Sequence, residues 1–173
     1  VAVGDIVDID RDKDGSNQIT GIHPRKNYII RKSINLSKQA HIIASNLDQA
    51  VLVATLVAPR TSLGFIDRFL VTAEAYEIPA KILFNKKDVL DEEMVELQND
   101  IMKLYTDIGY ECYSVSSFDK ADIEFIKTLL KDKTTLISGH SGVGKSTLVN
   151  AIDTELDLKI GDISEAHLKG MHT

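Results

Sequence analysis

The sequence predicts an α/β domain with a parallel sheet and helices on both faces, preceded by a short all-β segment. Three observations carry this reading. From about residue 49, short β-branched and apolar runs alternate with segments of helical apolar spacing. Right-handed crossovers turn that order into a parallel sheet covered on both sides. Up to about residue 33 the apolar positions follow the strand period instead. Finally, a glycine-rich turn at 139–144 lies between a strand-like run and a helical one, as in nucleotide-binding α/β domains.

In chain order, Val3, Ile6, Val7 and Ile9, then Ile19, Ile22, Tyr28, Ile29 and Ile30, read as strands separated by a polar turn. Residues 34–48 are expected to be a linker. Residues 51–57 read as a buried strand, and Phe65, Ile66, Phe69, Leu70 and Ala73 share one helical face. Residues 80–84 form the next strand. Met94, Leu97, Ile101, Leu104 and Ile108 then repeat along an amphipathic helix that stops at Gly109. A strand at 111–115, a helix marked by Ile123, Ile126, Leu129 and Leu130, and a strand at 134–138 complete the series. The last helix, 145–152, is marked by Leu148, Val149 and Ile152. There is no internal repeat and no low-complexity tract.

The 173 residues, 43% hydrophobic and 27% charged, suit one domain of ordinary size with a small appendage. No apolar run reaches the length of a membrane span, and the N-terminus does not resemble a signal peptide. The sequence opens at Val1 without a methionine, and a fragment of a longer chain is expected. The single cysteine, Cys112, allows no internal disulfide and no cysteine-rich zinc site; in its apolar run it is expected to be a packed core thiol, which suits a reducing cytoplasm. The net charge of −6 argues against a surface generally coated by nucleic acid, so RNA contact needs a local patch. The best one is His23-Pro24-Arg25-Lys26-Asn27 with Arg31 and Lys32, although a basic turn exposed to solvent explains it equally well.

The chemistry concentrates in Gly139-His140-Ser141-Gly142-Val143-Gly144-Lys145-Ser146, which satisfies G-x-x-x-x-G-K-[ST] at every fixed position, and Thr147 follows in the same helical turn. Glycines let successive backbone N–H groups converge on a β-phosphate, and the helix N-terminus adds partial positive charge. Lys145 would reach the β/γ oxygens, and the Ser146 hydroxyl would ligate Mg²⁺. The second clue is Asn85-Lys86-Lys87-Asp88 at the carboxyl end of a strand. Asp88 can accept from both guanine N1–H and its 2-amino group, whereas adenine would leave that carboxylate unpaired. Asn85 would tie this loop to the phosphate loop, and the Lys86 stem would cover the base. Backbone N–H groups at Ser116 and Ser117, which close the following strand, could meet guanine O6 or serve as turn formers only.

In an ordinary GTPase the phosphate loop precedes the guanine-reading loops; here the guanine-reading loops come first. A parallel sheet tolerates either cut of the chain, because termini lie at the surface. The domain is therefore expected to be circularly permuted. That order, with NLDQAVLVATL at 46–56, FIDRFLVTAE at 65–74, GHSGVGKSTLVNAI at 139–152 and the closing GDISEAHLKGMHT, resembles the RsgA/YjeQ family of bacterial small-ribosomal-subunit GTPases.

The resemblance implies that residues 1–33 are the last strands of an OB-fold and that 49–173 are a permuted GTPase domain, incomplete at its C-terminal end. It further implies GTP hydrolysis with Mg²⁺ in late maturation of the small (30S) subunit, with docking on 16S rRNA, release after hydrolysis and a monomeric cytoplasmic protein. A structural Zn²⁺ is implied only in a domain beyond this sequence. Gly170-Met171-His172-Thr173 is similar to the start of the family's switch I, which makes His172 a candidate for positioning the attacking water and Thr173 a Mg²⁺ ligand alongside Ser146.

The Asp-x-x-Gly of switch II is not among these residues in the expected place. Asp12-Lys13-Asp14-Gly15 matches formally but lies between N-terminal strands, where a turn is expected. The longer DRDKDGSNQITG mimics half an EF-hand loop, but its twelfth position is Gly21 and its flanks are strands, so calcium is not expected. The competing reading is a P-loop adenine-nucleotide kinase or ATPase in which Asn85-Lys86-Lys87-Asp88 is incidental.

Overall fold

The computed structural model describes residues 1–11, 16–32, 40–153 and 155. Strand β1 (Val7–Arg11) pairs antiparallel with β2 (Asn17–Ile22), and β3 (Tyr28–Lys32) pairs antiparallel with β4 (Ala40–Ser45). The strand β4 corrects the expectation of a linker over 34–48. Its Ile42-Ile43 doublet shows no alternation that would mark a strand, and its order comes from pairing with Tyr28–Lys32.

This second hairpin is fastened to the α/β part. Asn27 Nδ2 donates to Leu47 O at 2.9 Å while Leu47 N–H donates back to Asn27 Oδ1 at 2.8 Å. Ile29, Ala44 and Leu47 then pack with Ala50 and Ile78 in one buried cluster. The basic turn nearby is already neutralised. Arg25 forks Asp5 at 2.6 and 2.8 Å, His23 meets Asp8 at 2.9 Å, and Lys26 pairs with Asp48. The His23–Lys26 part of the patch expected to meet RNA is thus engaged within the protein. Hydrogen bonds from Arg25 above all hold the Asp5 carboxyl well below the usual carboxylate range.

The parallel sheet contains β5 (Gln49–Ala54), β6 (Ala80–Phe84), β7 (Glu111–Ser114) and β8 (Thr135–Ser138), in the spatial order β7-β6-β5-β8. All six residues of β5 are buried, as a central strand covered on both faces requires. Leu52, Ala54, Ile82 and Phe84 face α1 (Leu63–Ala75) and α2 (Glu92–Asp107) through Ile66, Leu70, Ile101 and Tyr105. Val51, Val53 and Leu83 point the other way, toward Ile123 and Ile126 of α3 (Lys120–Leu130) and Leu148 of α4 (Lys145–Ile152). The two-residue period therefore sorts each strand between two helical layers. Cys112 packs against the first cluster, and burial raises its thiol pKa. Among the described residues no helix is long and apolar enough to cross a membrane.

Because the four strands are parallel, their carboxyl ends share one edge, and the loops after β5, β6, β7 and β8 meet there. The first strand ends at Ala54, earlier than the apolar run through Val57 suggests. Thr55 and Thr61 close the following loop on each other: Thr61 N–H donates to Thr55 O at 2.7 Å and Thr55 N–H donates to Thr61 Oγ1 at 3.1 Å.

Candidate nucleotide site

The loop between β8 and α4 needs glycine at two places for reasons of space. Gly139 has φ +148°, and a Cβ there would stand 2.3 Å from the Val53 carbonyl oxygen. Gly144 has φ +94° as the N-cap of α4, and a Cβ there would stand 2.5 Å from Asn85 Nδ2. Val143 between them is fully buried, while Ser141 is exposed and Gly142 also has positive φ. Lys145, Ser146 and Thr147 form the first turn of α4 and are half-buried. The Lys145 ammonium curls over the loop, donating to Gly139 O at 2.8 Å and His140 O at 2.6 Å; partial burial lowers its pKa.

The His140 ring stacks on Phe65 of α1, with centroids 3.8 Å apart and planes at 32°. Desolvation, and then the charges of Lys145 and Arg68, lower the His140 pKa, which favours the neutral ring. Phe65 was legible only as a core residue of its helix, since nothing in its spacing points to a loop so distant in sequence.

Asn85 joins three loops. It is 2% exposed, its Nδ2 donates to Val143 O at 3.0 Å, and its Oδ1 accepts from Ser117 N–H and Ser117 Oγ, each at 3.1 Å. The expected tether to the phosphate loop is present, together with a second tether to the loop after β7. Lys86 has φ +69°, and its Nζ donates to Ala58 O at 2.5 Å, so its stem runs between the loops after β6 and β5. Desolvation lowers its pKa, against the opposing effect of Asp88. Asp88 Oδ1 accepts from Ser116 Oγ at 2.5 Å, which holds the carboxylate in one orientation.

Two groups of the expected site already have partners within the protein. Lys87 pairs with Asp122 at 2.7 Å, with Asp119 at 3.8 Å. The N–H groups of Ser116 and Ser117, expected at guanine O6, are both donated inside the protein, to Asp122 Oδ2 at 2.7 Å and to Asn85 Oδ1. Asp122 is the residue that the sequence reading missed. It sits in the first turn of α3, where an acidic residue ordinarily only complements the helix dipole. His172, Thr173 and the Asp12–Gly15 turn lie outside the described residues.

The donor set fits a polyphosphate with a hard divalent cation: a cup of backbone N–H groups at a helix N-terminus, one ammonium, and the Ser146 hydroxyl in the first helical turn. Asp88 lies on the loop that Asn85 ties to this one, with its carboxylate held by Ser116.

The RsgA GTPase family model matches residues 22–173. The small ribosomal subunit biogenesis GTPase RsgA of Bacteroides fragilis is 53% identical over 173 residues, covering 100% of this chain and 56% of that protein. Its namesake from Flavobacterium johnsoniae is 52% identical over 177 residues, covering 100% of this chain and 54% of the relative. Among solved structures, YjeQ from Thermotoga maritima superposes with TM-score 0.75 at 35% identity, covering 93% of this chain and 54% of that one. YloQ, a circularly permuted GTPase, superposes with TM-score 0.66 at 36% identity, covering 88% and 50%. The chain thus spans about half the length of the relatives it matches.

Proposed function

The chain belongs to the RsgA GTPase family, and from that premise we propose that it is the nucleotide-binding part of an enzyme that hydrolyses GTP to GDP and phosphate. One observation carries the reading: the Asn85 amide holds the phosphate loop, through Val143, to the loops that carry Asp88 and Ser117. A phosphate cup and a base-reading carboxylate are thereby fixed at a constant separation, which supports selection of one whole nucleotide.

In this reading the backbone of 139–144 cradles the β-phosphate, and Lys145 leaves the Gly139 and His140 carbonyls to meet the β/γ oxygens. Asp88, oriented by Ser116, accepts from guanine N1–H and the 2-amino group, and the Lys86 stem covers the base. Ser146 and Thr173 would hold Mg²⁺, which when bound neutralises charge on the β- and γ-phosphates. His172 would orient the attacking water. Residues 49–173 form the permuted GTPase domain and 1–33 belong to an OB-fold, with β4 completing the second hairpin.

The curated relatives are named for small ribosomal subunit biogenesis. We extend that role to the intact protein: a cytoplasmic monomer that docks on the small subunit and its 16S rRNA and leaves after GTP hydrolysis. The neutralised His23–Lys26 turn gives this chain little free positive charge there, so RNA affinity should reside mainly elsewhere in the intact protein. Competition of GTP and ATP against a fluescent GDP analogue, with Mg²⁺ present, tests the reading. GTP should displace it at least a hundredfold better, about 2.7 kcal/mol; equal displacement would favour the adenine-nucleotide enzyme.

A further inference from the structure

The phosphate loop is anchored to the helical layers on both faces of the sheet. On one side Val143 is fully buried and packs with Ile123, Ile126 and Leu148, in the layer of α3 and α4. On the other, the exposed His140 lays its ring on Phe65, which is half-buried against Ile66 and Leu70 in the layer of α1. Ser141 and Gly142 lie between the two anchors, and Gly142 has φ +82°.

The anchors differ in what holds them. Val143 is fixed twice, by burial and by the Asn85 amide on its carbonyl oxygen. Among the described residues the His140 side chain makes no hydrogen bond and has the Phe65 ring as its aromatic partner. At 3.8 Å between centroids and 32° between planes, the rings overlap more closely than most aromatic pairs. The place of that ring bears on the cation of the site. Gly139 O and His140 O, which accept from Lys145 Nζ at 2.8 and 2.6 Å, belong to the peptides on either side of the His140 Cα. A His140 pinned by its ring therefore fixes both carbonyls, and with them the resting place of the ammonium.

With 139–147 read as the phosphate cup, on which this rests, we propose that Phe65 is a positioning residue for nucleotide binding. Through His140 it presets the first half of the loop, and with it Lys145, before phosphate arrives. Without the phenyl ring, the segment from His140 to Gly142 has lost its anchor, and binding must order it first. The cost falls on the phosphate end and leaves the choice of base, made at Asp88, untouched.

Calorimetric titration of GDP and GTP with Mg²⁺ tests this on the unaltered chain, Phe65→Leu, His140→Ala and the double variant. Phe65→Leu keeps an apolar side chain against α1 and removes the ring; it should weaken both nucleotides by about fivefold, the effect of one aromatic pair. His140→Ala should weaken them by a similar factor, and the double variant should be no weaker than either single one, because both substitutions break one contact. Phe65→Tyr keeps the ring and should rescue binding, and the ratio of GTP to ATP affinity should be the same throughout. The His140 ring protons, shifted upfield by the phenyl face, should move downfield in Phe65→Leu, an NMR signature that lost stability alone does not give. If Phe65→Leu fails to fold, His140→Ala, at an exposed position, still decides. Full affinity in either single variant, additive losses in the double variant, no rescue by Phe65→Tyr or a changed GTP-to-ATP ratio would overturn the role of Phe65 and leave the phosphate cup standing. An unaltered chain that binds no GDP would overturn both.

Discussion

Replacing Asn85 by alanine removes one side chain and three buried hydrogen bonds, to Val143 O, Ser117 N–H and Ser117 Oγ. The serine hydroxyl can rotate toward another partner. The Val143 carbonyl and the Ser117 amide cannot, and Val143 and Ser117 are 0% and 7% exposed. Each of these two buried groups left without a partner costs about 1–3 kcal/mol, so Asn85→Ala should lose about 2–6 kcal/mol. That is a large fraction of the roughly 5–15 kcal/mol that holds a domain together. Nucleotide affinity should fall as well, because the loops bearing Val143 and Asp88 are no longer held together. A loss of at least tenfold for GDP, about 1.4 kcal/mol, is expected. Urea denaturation gives the first quantity and calorimetric titration of GDP the second, with Lys103→Ala, an exposed change, as the reference within about 0.5 kcal/mol. An Asn85→Ala protein as stable as that reference, and as tight for GDP as the unaltered chain, would refute the idea that this amide organises the site.

Lys145→Ala removes the one side-chain cation of the phosphate loop and should weaken GDP and GTP by about tenfold or more, read by the same titration; unchanged affinity would remove the phosphate-loop assignment. The Asp5 carboxyl, held low in the folded protein by Arg25, the Ala2 amide and Ser45, contributes stability that is present above its unfolded pKa of about 3.9 and lost as pH falls through its lower folded value. Asp5→Asn should therefore be less stable than the unaltered protein near neutrality and lose less on acidification below about pH 4, as followed by urea midpoints across that range. Identical acid limbs would show that the Asp5–Arg25 pair is not coupled to folding.

The α/β part was legible because β5, β6 and β8 are short apolar runs between helices of clean periodicity, and a strand buried on both faces has little other reading. The strand β4 was not, since its partner Tyr28–Lys32, not its own residues, makes it a strand. The Val57 error has a similar cause: a valine prolongs the apolar run, while the Thr55–Thr61 closure that ends the strand involves residues on both sides of it. In the site, the glycines and the Asn85 tether could be read because a motif fixes their spacing. Lys87 could not, because its partner Asp122 lies 35 positions away and an unpartnered lysine beside Asp88 looks the same in sequence. The Ser116 and Ser117 amides fall in the same class: a strand end shows that N–H groups are there, and only the fold shows which acceptors already hold them.

The central claim is that Asp88 reads guanine. Asp88→Asn removes the charge and places an amide where guanine offers only donors; charge-assisted bonds of this kind contribute roughly 1.5–3 kcal/mol each. Xanthine carries an oxygen in place of the 2-amino group and can accept from the new amide. Competition binding of GTP, XTP and ATP to the unaltered and Asp88→Asn proteins should show GTP affinity falling about a hundredfold while preference for XTP over GTP rises. Equal losses for all three nucleotides would contradict the account and reduce Asp88 to a support of the fold through its bond to Ser116.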